Sequence, residues 1–65
     1  MFRVIGVVER DLIVRQVDNG REYSAVIFES EVARNIRRGD LLQLSIVWRR
    51  QYEEWEVWHM AAPYV

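Results

Sequence analysis

The sequence predicts one small, mostly β domain with five short strands and a short helix between the third and the fourth. Its 65 residues allow a single domain, residues 1–65. Apolar residues make up 51% of the chain, which helps a domain of this size, because it buries only about 60% of its unfolded surface. Short apolar or alternating runs are separated by turn signals. With no cysteine in the chain, packing must hold this fold.

The first half of the chain predicts three strands. Residues 2–8 are apolar on both faces, residues 12–17 form a second apolar run, and Asn19-Gly20 is typical of a two-residue type I′ hairpin turn. That turn would put one row of cross-strand pairs on the core face, namely Val14 with Ala25 and Leu12 with Ile27, with Tyr23 in the same row. The other row would face outward and consists of the pairs Val17–Glu22, Arg15–Ser24, Ile13–Val26 and Asp11–Phe28.

A short helix follows. Ser30 can cap it, Glu31 favours its first turn, and Val32, Ala33 and Ile36 share one face. Arg37, Arg38 and Gly39 are typical of its C-terminal end, where Gly39 can adopt a left-handed conformation.

The second half predicts a hairpin. Leu41 to Trp48 and residues 54–60 alternate with opposite parity, so a loop from Arg50 to Glu53 aligns both apolar faces. The resulting pairs are Trp48 with Trp55, Ile46 with Val57, and Leu44 with His59. This register predicts that Trp48 and Trp55 lie in the core, that Tyr52 is exposed at the tip, and that Trp58 is at least partly exposed. Pro63 would end the last strand.

This order of elements, with RRGDLLQLSI leading into the fourth strand, resembles the OB fold, a five-stranded Greek-key barrel. The resemblance covers nearly the whole chain, and Gly39-Asp40 before a strand is its one local motif. An SH3-like barrel is the alternative, disfavoured because the helix of that fold is usually a short 3₁₀ turn late in the chain. The resemblance implies a ligand face on strands two and three, framed by the β1–β2 and β4–β5 loops of the barrel.

Carried onto this chain, the resemblance implies a binding module for single-stranded DNA or RNA. Arginines would neutralise phosphates and a loop aromatic would stack on bases. The net charge of −1 argues against a strongly basic binder, although residues 34–50 carry +4 (five arginines less Asp40). The candidate nucleic-acid residues are Arg10, Arg15, Arg21, Ser24, Arg49, Arg50 and Tyr52.

The alternative function is protein–protein interaction or homodimer formation. An outward apolar face, if the first strand leaves it uncovered, would call for a partner, and burying it would stabilise a small domain. The candidate interface residues are Ile13, Val26, Phe28 and Trp58.

The sequence predicts neither an enzyme nor a cofactor or metal site. His59, the only histidine, falls in the apolar row with Trp55 and is expected to be structural. Glu54 and Glu56 share a face, where they are expected to form a solvated edge that pairs with arginines. The apolar run at residues 1–8 is too short for a signal peptide or a membrane span, and no lipidation motif is present, so we expect a cytoplasmic protein.

Overall fold

A computed structural model of the chain describes residues 1–28 and 34–60. Nearly all of the regular structure in this part is β. The six strands are β1 (Phe2–Val8), β2 (Asp11–Gln16), β3 (Glu22–Val26), β4 (Leu41–Leu42), β5 (Leu44–Arg49) and β6 (Glu54–Met60).

The six strands form one curled, open sheet of the kind found in small β-barrel-like folds. Their order across the sheet is β4-β1-β2-β3-β6-β5, and every neighbouring pair is antiparallel except β3 with β6. The two edge strands, β4 and β5, are consecutive along the chain and are separated only by Gln43. The predicted strand from Leu41 to Trp48 is therefore divided. Its first part pairs with β1 and its second part pairs with β6, which gives six strands where five were predicted.

The core lies inside the curl, where apolar side chains from β1 to β5 meet. Leu12, Val14 and Leu42 have no exposed surface, and no polar or charged side chain is buried among the described residues. Val7, Tyr23, Ile46, Val57 and Met60 are partly buried against this cluster.

A β-bulge explains why residues 2–8 are apolar on both faces. Val4 pairs with Val14, but Gly6 pairs with Ile13, so Ile5 is an extra residue on β1. The extra residue reverses the alternation. Val7 therefore comes opposite Leu12 and packs against the core.

For the β2–β3 hairpin, the sequence correctly predicts which residues face inward but gives the wrong register. Leu12 pairs with Ala25 and Val14 with Tyr23, so each β2 residue lies opposite a β3 residue two positions earlier than predicted. Residues 17–20 form a four-residue connection, in which the Gly20 amide donates to the Gln16 carbonyl at 2.8 Å. A type I′ turn is absent because only Gly20, at φ +74°, takes a positive φ. Because a shift of two residues keeps the parity, Leu12, Val14 and Ala25 still face inward.

The β5–β6 hairpin confirms the predicted loop and most of the predicted register. Trp48 pairs with Trp55 and Ile46 with Val57, across the turn at residues 50–53. The pairing of Leu44 with His59 was wrong, since Leu44 lies opposite Met60. A bulge makes Trp58 an extra residue on β6, and beyond it the inward positions change from odd to even numbers.

The segment before β4 is described from residue 34 onward, so the predicted helix start, with Ser30 and Glu31, lies outside the described residues. Residues 34–35 are helical, but the helix does not continue to Arg37 and Arg38, so the predicted C-terminal end was wrong. Ile36 is buried in the core. Gly39 takes a φ of +93°, which confirms its predicted left-handed conformation. The Asp40 carboxylate accepts a bond from the Arg37 amide at 2.8 Å, and the Asp40 amide donates to the Arg37 carbonyl at 3.0 Å. Gly39-Asp40 thus forms the turn that leads into β4.

Candidate functional site

Four aromatic rings form a continuous row across the sheet. Phe2 contacts Tyr23 with ring centroids 6.1 Å apart, Tyr23 contacts Trp55 at 5.2 Å, and Trp55 contacts Trp48 at 5.4 Å. All three contacts are edge-to-face, the geometry that aromatic quadrupoles favour. We call these residues the aromatic row. Its exposure rises along its length, from 7% at Phe2 to 50% at Trp48.

Trp48 lies outside the core, contrary to prediction. The alternation correctly predicts the face of the sheet on which the Trp48 side chain lies, because Trp48 pairs with Trp55 on the core side. It is, however, the last core-facing position before the turn at residues 50–53, beyond the cluster that fills the curl. Half of its surface therefore remains in water. Proximity to the hairpin tip was the sequence signal that could have indicated this exposure.

Two loops lie at the Trp48 end of the sheet. β3 and β6 are parallel, so both strands begin at the same end. The β2–β3 connection at residues 17–20 and the β5–β6 turn at residues 50–53 therefore lie at that end, which we call the hairpin end. It carries Arg21 and Arg50, both exposed, and Tyr52, which is 59% exposed as predicted.

Arg10 lies at the opposite end of the sheet. It occupies the turn between Val8 and Asp11, and its carbonyl accepts a bond from the Ile27 amide at 2.8 Å. The six residues of β2 separate it from the hairpin end, a length of roughly 17–20 Å at strand geometry. Ser24 is exposed midway between the two ends, opposite Ile13. The fold thus brings Arg21, Arg50 and Tyr52 to one end of the sheet and separates Arg10 from Arg21 by the length of β2.

Two of the candidate arginines are paired with carboxylates. Nε and Nη2 of Arg15 both donate to Oε2 of Glu22, at 3.1 and 2.6 Å. Nη1 of Arg49 lies 3.1 Å from Oε2 of Glu56. The second pair confirms that Glu56 meets an arginine. The predicted solvated edge was wrong, because β6 lies between β3 and β5 and the Glu56 side chain is only 15% exposed. A paired arginine is already partly neutralised, so it offers less attraction to a phosphate than Arg21 or Arg50.

A cleft opens beside the aromatic row, where the two edges of the sheet separate after Gln43. Its volume is about 350 Å³. Phe2 and Gln16 line one side, β5 lines the other, and Tyr23 and Trp55 complete the wall. We call it the seam cleft, and its lining residues are Phe2, Gln16, Tyr23, Leu44, Ser45, Ile46 and Trp55. Gln16 and Ser45 were not predicted as site residues, because this opening depends on where β4 and β5 divide.

The candidate interface residues lie on the outward face of the sheet, where Phe28 adjoins the candidate nucleic-acid residues Arg49 and Tyr52. Ile13 and Val26 are half-buried, whereas Phe28 is 55% and Trp58 67% exposed. The exposure of Trp58 was predicted. Phe28 and Trp58 line one cleft of about 370 Å³, and Phe28 lines a second of about 340 Å³ with Tyr52 and Arg49.

His59 also lies on this face of the sheet and is exposed, so its prediction as a structural histidine in the apolar row was wrong. The bulge at Trp58 turns it outward and gives the inward position to Met60. Within residues 1–28 and 34–60, no three or more His, Asp or Glu side chains come together as metal ligands would. In the same part of the chain, no helix has the length and apolarity needed to cross a bilayer.

Comparison with protein-family models, with curated proteins and with solved structures found no match to this chain.

Proposed function

We propose that the protein binds single-stranded nucleic acid at the hairpin end, with Trp48 as a stacking platform. The observation that carries this proposal is the half-exposed indole of Trp48, supported from behind by Trp55 at 5.4 Å. A rigidly supported, exposed ring loses little conformational entropy when a base stacks on it. Each base stacked on an aromatic side chain contributes about 1–3 kcal/mol to the binding free energy, and every type of base can stack in this way.

The element order supports an OB-type fold for this module. When β4 and β5 count as one strand divided at Gln43, the chain has five strands, with helical residues 34–35 between the third and the fourth. Both outer edges of the sheet then belong to the same stretch of chain, as a partly open barrel requires. Barrels of this type commonly bind oligonucleotides.

The charge distribution supports binding led by stacking. Arg15 and Arg49 are engaged by Glu22 and Glu56, so Arg21 and Arg50 are the candidate arginines that we assign to phosphate contacts. Each phosphate neutralised on a single strand contributes a slope of about −0.7 to the dependence of log K on log salt. Two contacts therefore correspond to a slope of about −1.4, shallower than that of a strongly basic binder.

Fluorescence titration tests the proposal. Short single-stranded DNA and RNA oligomers are added to the full chain at low salt, and tryptophan emission is followed. Because two of the three tryptophans belong to the aromatic row, we expect saturable quenching that Trp48→Ala greatly reduces. Absence of any change with both DNA and RNA, checked by a second method such as anisotropy of a labelled strand, contradicts the proposal.

A second candidate function is protein–protein interaction through Phe28 and Trp58. A β-bulge that presents a tryptophan with 67% of its surface exposed, beside a phenylalanine at 55%, favours this candidate. Exposed aromatic pairs are typical of the centre of an interface. Sedimentation at high concentration tests the self-associating form, which predicts a dimer that Trp58→Ala dissociates. A purely monomeric profile of the unmodified chain contradicts that form.

A further inference from the structure

We propose that the seam cleft receives one unstacked base of the bound strand and that the side-chain amide of Gln16 hydrogen-bonds to the edge of this base. The inference rests on the proposed function and deepens it, because Trp48 stacking alone does not discriminate between bases. The aromatic row connects the two sites. Trp55 contacts Trp48 on one side and lines the cleft on the other. A strand with one base on Trp48 can therefore place a neighbouring base in the cleft.

The lining of the cleft matches a planar, polar-edged ring. Pockets for such ligands are mostly apolar and aromatic, with a few polar groups that fix the orientation. Phe2, Tyr23 and Trp55 supply aromatic surface, and the remaining apolar wall comes from Leu44 and Ile46. The volume of about 350 Å³ lies at the small end of the range for ligand sites, which favours one ring system over an extended ligand.

Gln16 supplies a polar side chain to the cleft from the end of β2, where it shares the inward face with Leu12 and Val14. Ser45 borders the cleft on β5, but its side chain lies on the outward face, opposite His59. Nδ2 of the Asn19 side chain donates to Oε1 of Gln16 at 3.3 Å, which restrains the side-chain amide of Gln16 at the rim of the cleft. The side-chain nitrogen of Gln16 is a hydrogen-bond donor. It can meet an acceptor on the edge of a base. Single-stranded bases are recognised in this way when they are splayed out of a stack.

The test compares homopolymers on the full chain. Oligomers of dT, dA and dC of equal length are titrated at one salt concentration, and the ratio between the tightest and the weakest affinity is measured. Groups that hydrogen-bond to a base discriminate by about tenfold or more, so we expect at least that ratio. Gln16→Met removes this donor and should reduce the ratio to less than about threefold.

Two controls keep the proposal falsifiable. Ser45→Ala changes a side chain on the outward face and should preserve the preference, and circular dichroism verifies that each variant is folded. Equal affinity of the unmodified protein for the three oligomers overturns the cleft assignment and leaves the stacking proposal standing. A preference that Gln16→Met retains also overturns it. Absence of binding to every oligomer removes the proposed function, and the base site with it.

Discussion

Trp48 meets Trp55 edge to face across the β5–β6 hairpin, with ring centroids 5.4 Å apart and an interplanar angle of 65°. The two indoles are direct cross-strand partners, yet their environments differ. Trp55 also contacts Tyr23 and is half-buried, whereas half of the Trp48 surface is in water. The pair therefore separates two roles. Trp55 stabilises the fold, and Trp48 presents a supported ring at the hairpin end.

This division predicts opposite effects of two matched substitutions. Trp48→Ala should weaken single-strand binding by about 1–3 kcal/mol, the contribution of one stacked base, with little loss of stability. Trp55→Ala should destabilise the fold toward the lower end of about 3–5 kcal/mol, because its ring is only partly buried. Oligomer titration and urea unfolding measure the two quantities. Trp48→Phe should recover much of the lost affinity. Unchanged affinity in Trp48→Ala would mean that the platform lies elsewhere.

Because Arg15 is paired with a carboxylate, we expect Arg15 and Arg50 to contribute unequally to the salt dependence of single-strand binding. Arg50→Ala should reduce the slope of log K against log salt by about 0.7, the contribution of one phosphate contact on a single strand. Arg15→Ala should reduce it less, because Glu22 already engages Arg15 through Nη2 at 2.6 Å. Each variant removes one positive charge, so net charge is matched. Titrations over a range of salt concentrations measure both slopes. Equal reductions would show that the Arg15–Glu22 pair opens when the strand binds.

The facing of most strand residues could be predicted from the sequence, because facing depends only on parity. The β2–β3 register was wrong by two residues, yet Leu12, Val14 and Ala25 still face inward. Turn chemistry decided the register. The Asn19 side chain accepts a bond from the Arg21 amide at 2.9 Å, which favours a four-residue connection over the type I′ turn that Asn-Gly commonly forms.

Single-residue bulges account for most of what the sequence did not predict. The extra residue at Trp58 reverses the parity of β6 and turns His59 outward. Nothing in the alternation marks that position, because a bulge depends on the partner strand. The seam cleft was unpredictable for a similar reason, since it opens only where Leu42 pairs with β1 and Leu44 with β6. Both features are set by pairing between distant parts of the chain.

Gly20 and Gly6 offer a matched test of backbone strain. Gly20 has φ +74°, a left-handed conformation, whereas Gly6 has an ordinary φ, and an added Cβ meets no atom within 4 Å at either site. A non-glycine residue pays roughly 1–2 kcal/mol in the left-handed region. Gly20→Ala should therefore lower the free energy of unfolding by about that amount. Gly6→Ala should leave it unchanged or raise it by up to about 1 kcal/mol. Urea unfolding measures both, and equal effects would contradict the assigned turn.

Leu42 is the buried residue whose truncation should most affect how the two edge strands, β4 and β5, are held together. It has no exposed surface, pairs with Phe2, and is separated from Leu44 of β5 by one residue. Truncating such a side chain costs about 2–5 kcal/mol, while a domain of this length has a stability of about 3–10 kcal/mol. We expect Leu42→Ala to lower the unfolding midpoint sharply and to expose the Phe2 side of the seam cleft. Val17→Ala, at a 52% exposed position, is the control and should change stability by less than about 0.5 kcal/mol. Equal midpoints for the two variants would contradict a core that closes across β1 and β4.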